Sequence, residues 1–309
     1  MQLLTPQNFT DYQLIDSGDY EKLERFGKYV LRRPEPQAVW RKHFPEKEWE
    51  KRSDAYFKKE KGKNISGEGN ERGEWILKPN MPQQWFINYR YKNMNLRFRL
   101  GLTAFKHVGI FPEQASNWDF IYDTASSAST VMSSVSETPP DKTAKILNLF
   151  AYTGGASLAA KAAGADVTHV DSVKQVLNWS RENMEASGLT DIRWVLEDAL
   201  KFVKREAKRG KIYQGIILDP PAYGRGPEGE KWILEENIAE LMEACGTLSD
   251  KQNSFCILNL YSMGFSSLIA ENLMKDYFPH YSNIDFGELF LSDEAGRKLP
   301  LSVYCRSKI

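Results

Sequence analysis

The chain has 309 residues, 41% of them hydrophobic, and its 41 Lys+Arg are balanced by 41 Asp+Glu. This length supports one large domain or two smaller ones with a real core, and the zero net charge excludes a uniformly basic nucleic-acid coat while leaving local patches open. Three scattered cysteines, Cys245, Cys256 and Cys305, speak against a disulfide scaffold or a zinc site, and no apolar run approaches a membrane span.

The opening MQLLTPQNFTDYQLIDSG lacks a basic stretch followed by an apolar one, so no signal peptide is expected and the cytoplasm is the expected compartment. Residues 10–33 read as short strands joined by turns, with turn chemistry at Asp16-Ser17-Gly18-Asp19 and a strand over Phe26–Leu31 that stops at Arg33-Pro34. Lys58–Arg72 has almost nothing to bury and is expected to be a solvated loop. Residues 85–102 predict a hairpin around Asn93-Met94-Asn95, with Phe86, Asn88 and Arg90 on one run and Leu96, Phe98 and Leu100 on the other. Its interleaved basic and aromatic side chains suit either a nucleic-acid surface or a charge-protected edge. A helix is expected over 117–132.

From residue 145 apolar runs alternate with helical segments, the pattern of a parallel α/β sheet. The first run, Lys145–Phe150, leads into Ala151-Tyr152-Thr153-Gly154-Gly155; the next three end on Asp171, on Glu197-Asp198 and on Asp219-Pro220-Pro221. Ligands in such sheets sit beyond the carboxyl ends of the strands, so these four endings converge on one crevice. Gly154 and Gly155 let backbone approach a ligand. Asp171, with Ser172 after it, lies where an acid accepts hydrogen bonds from ribose hydroxyls. Asp198 and the backbone of Ala199 are placed for an adenine amino group, and Phe150, Tyr152 and Thr153 for the other end of the ligand. Neither G-x-x-x-x-G-K-[ST] nor G-x-G-x-x-G is present, and a loop without a phosphate cradle fits S-adenosylmethionine (SAM), which has no pyrophosphate.

In Asp219-Pro220-Pro221-Ala222-Tyr223 the prolines hold the chain extended and leave carbonyls for an N–H on a target base, beside the Asp219 carboxylate. Tyr223 offers a face for a planar ring. A flexible loop is expected over Gly224–Gly229, then a helix over 230–248 with a core-facing apolar stripe.

These motifs resemble class I SAM-dependent methyltransferases and, more narrowly, the bacterial large-subunit ribosomal RNA methyltransferases of the I and K/L types. The N-terminal Leu14–Gly18, Leu23–Gly27 and Arg33–Trp40 segments resemble an L-D-S-G, L-E-R-F-G and R-P-x-P-Q-A-x-W pattern of their uncharacterised bacterial relatives. His107–Gln114 resembles an H-x-T-G-x-F-x-x-Q stretch, which implies that Phe111 and Gln114 approach SAM. The cytosine-C5 members carry a cysteine where this chain has Ser262, and Cys256 lies roughly 20 Å upstream at strand rise. Carbon 5 of a pyrimidine needs a thiolate to activate it, whereas a nitrogen acceptor does not. The resemblance implies an RNA partner and a nitrogen target; a protein or small-molecule acceptor and a silent RNA-binding module are the alternatives.

The expected architecture is α/β. A β-rich module over 1–105 precedes a Rossmann-like, seven-stranded class I methyltransferase domain over 106–309, whose last antiparallel pair turns through Asp293–Gly296. Asp219, Pro220 and Tyr223 are the expected acceptor-side residues. No metal and no membrane are expected, and the oligomeric state is open.

Overall fold

The computed structural model describes residues 1–60, 72–133, 143–261 and 265–309. The chain divides into two compact units, one of Met1–Leu4, Gln114–Leu289 and Ser302–Ile309, the other of Thr5–Glu113 and Phe290–Leu301. The boundary expected between 105 and 106 falls inside the latter.

In chain order the elements are β1 (Gln2–Leu4), β2 (Tyr12–Gly18), β3 (Glu21–Phe26), β4 (Tyr29–Pro34), α1 (Glu46–Arg52), β5 (Ala55–Lys59), β6 (Gly73–Leu77), β7 (Gln84–Tyr91), β8 (Met94–Gly101), α2 (Ala115–Ser133), β9 (Lys145–Leu149), α3 (Gly155–Ala162), β10 (Asp166–Asp171), α4 (Lys174–Ala186), β11 (Ile192–Leu196), α5 (Ala199–Lys208), β12 (Gly215–Leu218), β13 (Tyr223–Arg225), β14 (Lys231–Ile233), α6 (Leu234–Leu248), β15 (Phe255–Leu260), α7 (Ser267–Tyr277), β16 (Ile284–Ser292) and β17 (Lys298–Lys308).

The larger unit is built on a sheet of order β1-β16-β17-β15-β12-β9-β10-β11. Strands β9 to β12 and β15 are parallel, and β17 runs antiparallel to β15. The seven expected strands are present, and β1 adds an eighth by pairing parallel with β16. Every residue of β12 and β15 is buried, as expected for strands covered by helices on both faces. After β9 the chain moves outward through β10 and β11, then returns to place β12 on the other side of β9. The reversal puts a topological switch point at the carboxyl end of β9, where the glycine turn lies.

The smaller unit carries a five-stranded sheet, β2-β3-β4-β5-β6, and the separate β7–β8 hairpin. Three local expectations change here. Asp16, Ser17 and Gly18 are not a turn: they lie in β2, and the turn is made by Asp19 and Tyr20, both at positive φ. Phe26–Leu31 is not one strand, because Gly27 takes φ +63° and reverses the chain between β3 and β4. In the hairpin Trp85, Ile87 and Tyr89 face inward, and Phe86 is 44% exposed. A strand has two alternating faces, and the wholly apolar set takes the core. The hairpin turns at Lys92-Asn93, with β8 starting at Met94.

The Asp16 carboxylate is fully buried and accepts from the backbone N–H of Phe44 (2.9 Å), the indole of Trp49 (2.7 Å) and the guanidinium of Arg297. Glu24, equally buried, accepts from the Tyr12 hydroxyl at 2.8 Å and pairs with Arg33 at 2.6 Å. Burial alone would raise the Glu24 carboxyl, but Arg33, Lys22 and the Tyr12 hydroxyl outweigh it and hold it below the usual range.

Candidate active site

The turn after β9 holds an unusual backbone. Phe150, Tyr152 and Gly154 all take positive φ, at 53°, 49° and 94°, a region that costs side-chain-bearing residues energy unless their surroundings enforce it. The enforcing bonds are present. Asp171 Oδ2 accepts the Tyr152 N–H at 2.9 Å, Ser180 Oγ donates to the Tyr152 carbonyl at 2.7 Å, and Asn183 Nδ2 donates to the Thr153 carbonyl at 2.9 Å. Behind them His169 lies between Ser157 Oγ (3.0 Å) and Ser180 Oγ (3.4 Å), and Asn148 donates to Ser157 at 2.9 Å. Burial pushes His169 down to about 3, so the ring is neutral. Ser180 spends its proton on a carbonyl, which assigns the N–H of His169 to Nε2 and leaves Nδ1 to accept from Ser157. At Gly155 the place of a Cβ is taken by the Trp118 indole, 2.6 Å away, so this glycine lets α2 pack on α3.

Asp171 closes β10 and also accepts the Val173 N–H at 2.9 Å. Burial raises its carboxyl to about 6, partly offset by the N–H groups of Val173, Tyr152 and Ser172. Leu196 pairs in register with Asp171. Val173 and Leu196 are 45% and 44% exposed, two apolar side chains left to solvent at neighbouring strand ends. Sequence reading missed both, since single apolar residues after a strand carry no pattern. Asp198 caps α5, its Oδ1 accepting the Lys201 N–H at 2.9 Å, and Ala199 opens that helix, buried.

Asp219 follows β12. Part of its surface reaches solvent, yet the protein around it raises its carboxyl to about 7, and burial is the whole cause. No donor among the described residues reaches it. The expectation that both proline carbonyls stay available is half corrected: the Pro221 carbonyl accepts the Trp232 indole N–H at 2.7 Å, while that of Pro220 has no partner among the described residues. The Phe150 ring lies 4.8 Å from that of Trp232, so one indole braces both turns. Gly224–Gly229 is not simply a loop: Tyr223 and Ile233 pair across the β13–β14 hairpin, and α6 starts only at Leu234. Reading 230–248 as helix hid Trp232, whose β neighbours carry no helical period.

Gln114 is buried and accepts from Asn117 Nδ2 at 2.9 Å; the same nitrogen donates to Asn259 Oδ1 at 3.0 Å. Phe111 belongs to the smaller unit, its ring 5.4 Å from His107. Ser262 and most of the 58–72 segment lie outside the described residues. Cys256 is fully buried, which raises its thiol well above the ordinary range. Among the described residues no cluster of three His, Cys, Asp or Glu could hold a metal, and no helix is long and apolar enough to cross a membrane.

Comparison with known proteins identifies the family. A crystal structure of a SAM-dependent methyltransferase from Agrobacterium tumefaciens is 34% identical over all of this chain and 93% of its own, with a TM-score of 0.85. The ribosomal RNA large subunit methyltransferase K/L of Shewanella frigidimarina is 29% identical over 150 residues, 47% of this chain. The ribosomal RNA large subunit methyltransferase I of Klebsiella pneumoniae is 31% identical over 109 residues, 34% of this chain. The matched stretches span only 18% and 24% of those two relatives. The family model described as S-adenosylmethionine-dependent methyltransferase matches residues 86–258, more than half of the sequence, and the chain belongs to that family.

Proposed function

We propose that the chain methylates a nitrogen of an RNA base, with large-subunit ribosomal RNA, the substrate in the names of two relatives, as the natural acceptor and the cytoplasm as its place of action. The observation that carries this reading is Asp219: a carboxylate held near neutrality, with no protein donor among the described residues, at the strand end next to the glycine turn.

The residues fit the donor. In this reading Asp171 accepts from ribose hydroxyls, Val173 and Leu196 flank the adenine, and Asp198 and Ala199 meet its amino group. On the same reading the clamped turn of Phe150, Tyr152, Thr153, Gly154 and Gly155 faces the methionine part, with Ser172 beside Asp171 and with Gln114 assigned by family resemblance. When bound, SAM supplies a methyl group already activated on a sulfonium, so orientation of the acceptor does most of the work.

On the acceptor side, Asp219 and the Pro220 carbonyl accept hydrogen bonds from an amino group or ring N–H, and this aims the nitrogen lone pair. A carboxyl group near pH 7 is also matched to receive the proton that the nitrogen gives up. Tyr223 supplies a stacking face. Cysteine-assisted chemistry at carbon 5 is disfavoured, because the Cys256 thiol is buried and stays protonated. The exposed Phe86 ring, with the Arg97 guanidinium 4.5 Å from its centroid, offers the smaller unit a second RNA-facing surface.

The test is transfer of labelled methyl from SAM to total RNA from cells lacking the gene, followed by nucleoside analysis. A nitrogen-methylated base is the expected product. A cytosine methylated at carbon 5 would overturn the nitrogen assignment, and label in protein or small molecules alone would overturn RNA.

A further inference from the structure

The chain as a whole is electrically neutral, yet a stripe of positive charge runs along one side of α5. Lys201, Lys204, Arg205 and Lys208 recur at the spacing that puts them on one helix face, while Ala199, Phe202 and Val203 on the other are buried. The stripe forms one wall of a groove of about 510 Å³ whose other wall is the β13–β14 hairpin, including Lys231 and Trp232. Five cations line the groove against two carboxylates, Asp198 and Glu230.

Three of the cations have partners. Lys201 bridges Glu228 (2.5 Å) and Glu230 (3.3 Å), Lys204 meets Glu240 (2.5 Å), and Arg205 meets Glu197. These are exposed or partly exposed pairs, which are weak and exchange readily for another anion. Lys208 and Lys231 are exposed and have no carboxylate partner among the described residues. Arg205 Nε is buried and donates to nothing among them.

We propose that this groove is a track for the sugar-phosphate backbone of the RNA strand that flanks the acceptor base. The groove and the acceptor turn share a wall: β13 begins at Tyr223, and Trp232, which lines the groove, donates its indole N–H to the Pro221 carbonyl. A base held at Asp219 therefore leaves its neighbouring phosphates beside the stripe. From Lys201 to Lys208 the helix rises about 10 Å, room for about three phosphates of a stacked strand at roughly 3.4 Å each. A small-molecule acceptor would have no use for a cationic track of that length. The inference rests on the RNA reading above and assigns the polyanion-binding part of that site.

The test uses the full chain, a fluorescent 12-nucleotide single-stranded RNA of mixed sequence, and methyl transfer to total RNA in parallel. Lys208→Ala/Lys231→Ala should weaken oligonucleotide binding roughly tenfold and make the slope of log K against log salt shallower by about 1.4, the loss of two phosphate contacts. SAM affinity and the transfer rate at saturating RNA should not change. An unchanged salt slope in a variant that still methylates RNA overturns the track and leaves the RNA reading standing. An unaltered chain that neither binds the oligonucleotide nor methylates RNA overturns both.

Discussion

Asp16 in the smaller unit is a fully buried carboxylate and Asp219 in the larger one a partly buried one, and the protein treats them in opposite ways. Around Asp16 two backbone N–H groups of the 43–44 segment, the Trp49 indole and Arg297 close a complete ring of donors. Glu24 is enclosed in the same manner by Tyr12, Arg33 and Lys22. Asp219 has no donor among the described residues, and burial lifts it to about 7. Asp171 stands between: it accepts from Tyr152 and Val173 and still sits near 6. A buried acid whose valences are all used by protein holds a framework together, whereas one left short of donors is kept for a partner that the protein does not supply.

The comparison breaks most visibly at Asp16. Asp16→Ala takes the acceptor from four N–H groups, those of Ser17, His43, Phe44 and the Trp49 indole, and one of two carboxylate partners from Arg297. The loss expected from breaking such a buried pair is about 3–5 kcal/mol. Urea unfolding measures it, and a loss below about 1 kcal/mol would remove Asp16 from the framework.

Asp219→Asn should do the reverse. Transfer should fall by about 100-fold or more with SAM affinity retained, while stability near neutral pH rises. The raised carboxyl binds its proton more tightly in the fold than in the open chain, so the native state loses stability as pH climbs from about 4 to about 7. The asparagine variant should flatten that part of the pH–stability curve. In the unaltered chain, transfer should rise with pH through about 7 as the carboxylate forms. Transfer that ignores both the substitution and the pH would refute the assignment.

A smaller effect is expected at Asp171→Asn, where SAM binding should weaken by about tenfold or somewhat more through loss of a charge-assisted hydrogen bond. In the unaltered chain, donor affinity should rise through about pH 6, where this carboxyl ionises; calorimetric titration on either side of that pH checks it. The smallest effect belongs to Ser180→Ala, which removes one neutral bond to the Tyr152 carbonyl. About 1 kcal/mol, or roughly fivefold in SAM affinity, is expected, and an unchanged affinity would mean that the turn holds its shape without this clamp.

Much of the larger unit was legible because its signals are local. A strand buried on both faces must be largely apolar, so β9, β12 and β15 announced themselves, and the carboxylates after β10, β11 and β12 marked where those strands stop. The smaller unit was harder to read. Phe86 and Trp85 are adjacent aromatics on opposite faces of one strand, and only the packing around Trp85, Ile87 and Tyr89 shows which face is the core. Asp16-Ser17-Gly18 carries turn chemistry, but a carboxylate whose donors come from residues 43, 44, 49 and 297 is better satisfied inside a strand.

The sequence by itself determined the α/β class, the run of parallel strands along the chain and the residues that end them, because hydrophobic period and strand-end chemistry are written in neighbouring positions. Tertiary structure alone decided which of those ends are satisfied. It brought Trp232 to the Pro221 carbonyl, Ser180 and Asn183 to the glycine turn, and Lys231 across from the α5 stripe. Each of these joins residues of different elements, and hydrogen bonds and charge act over a few ångströms of space, whatever the distance along the chain.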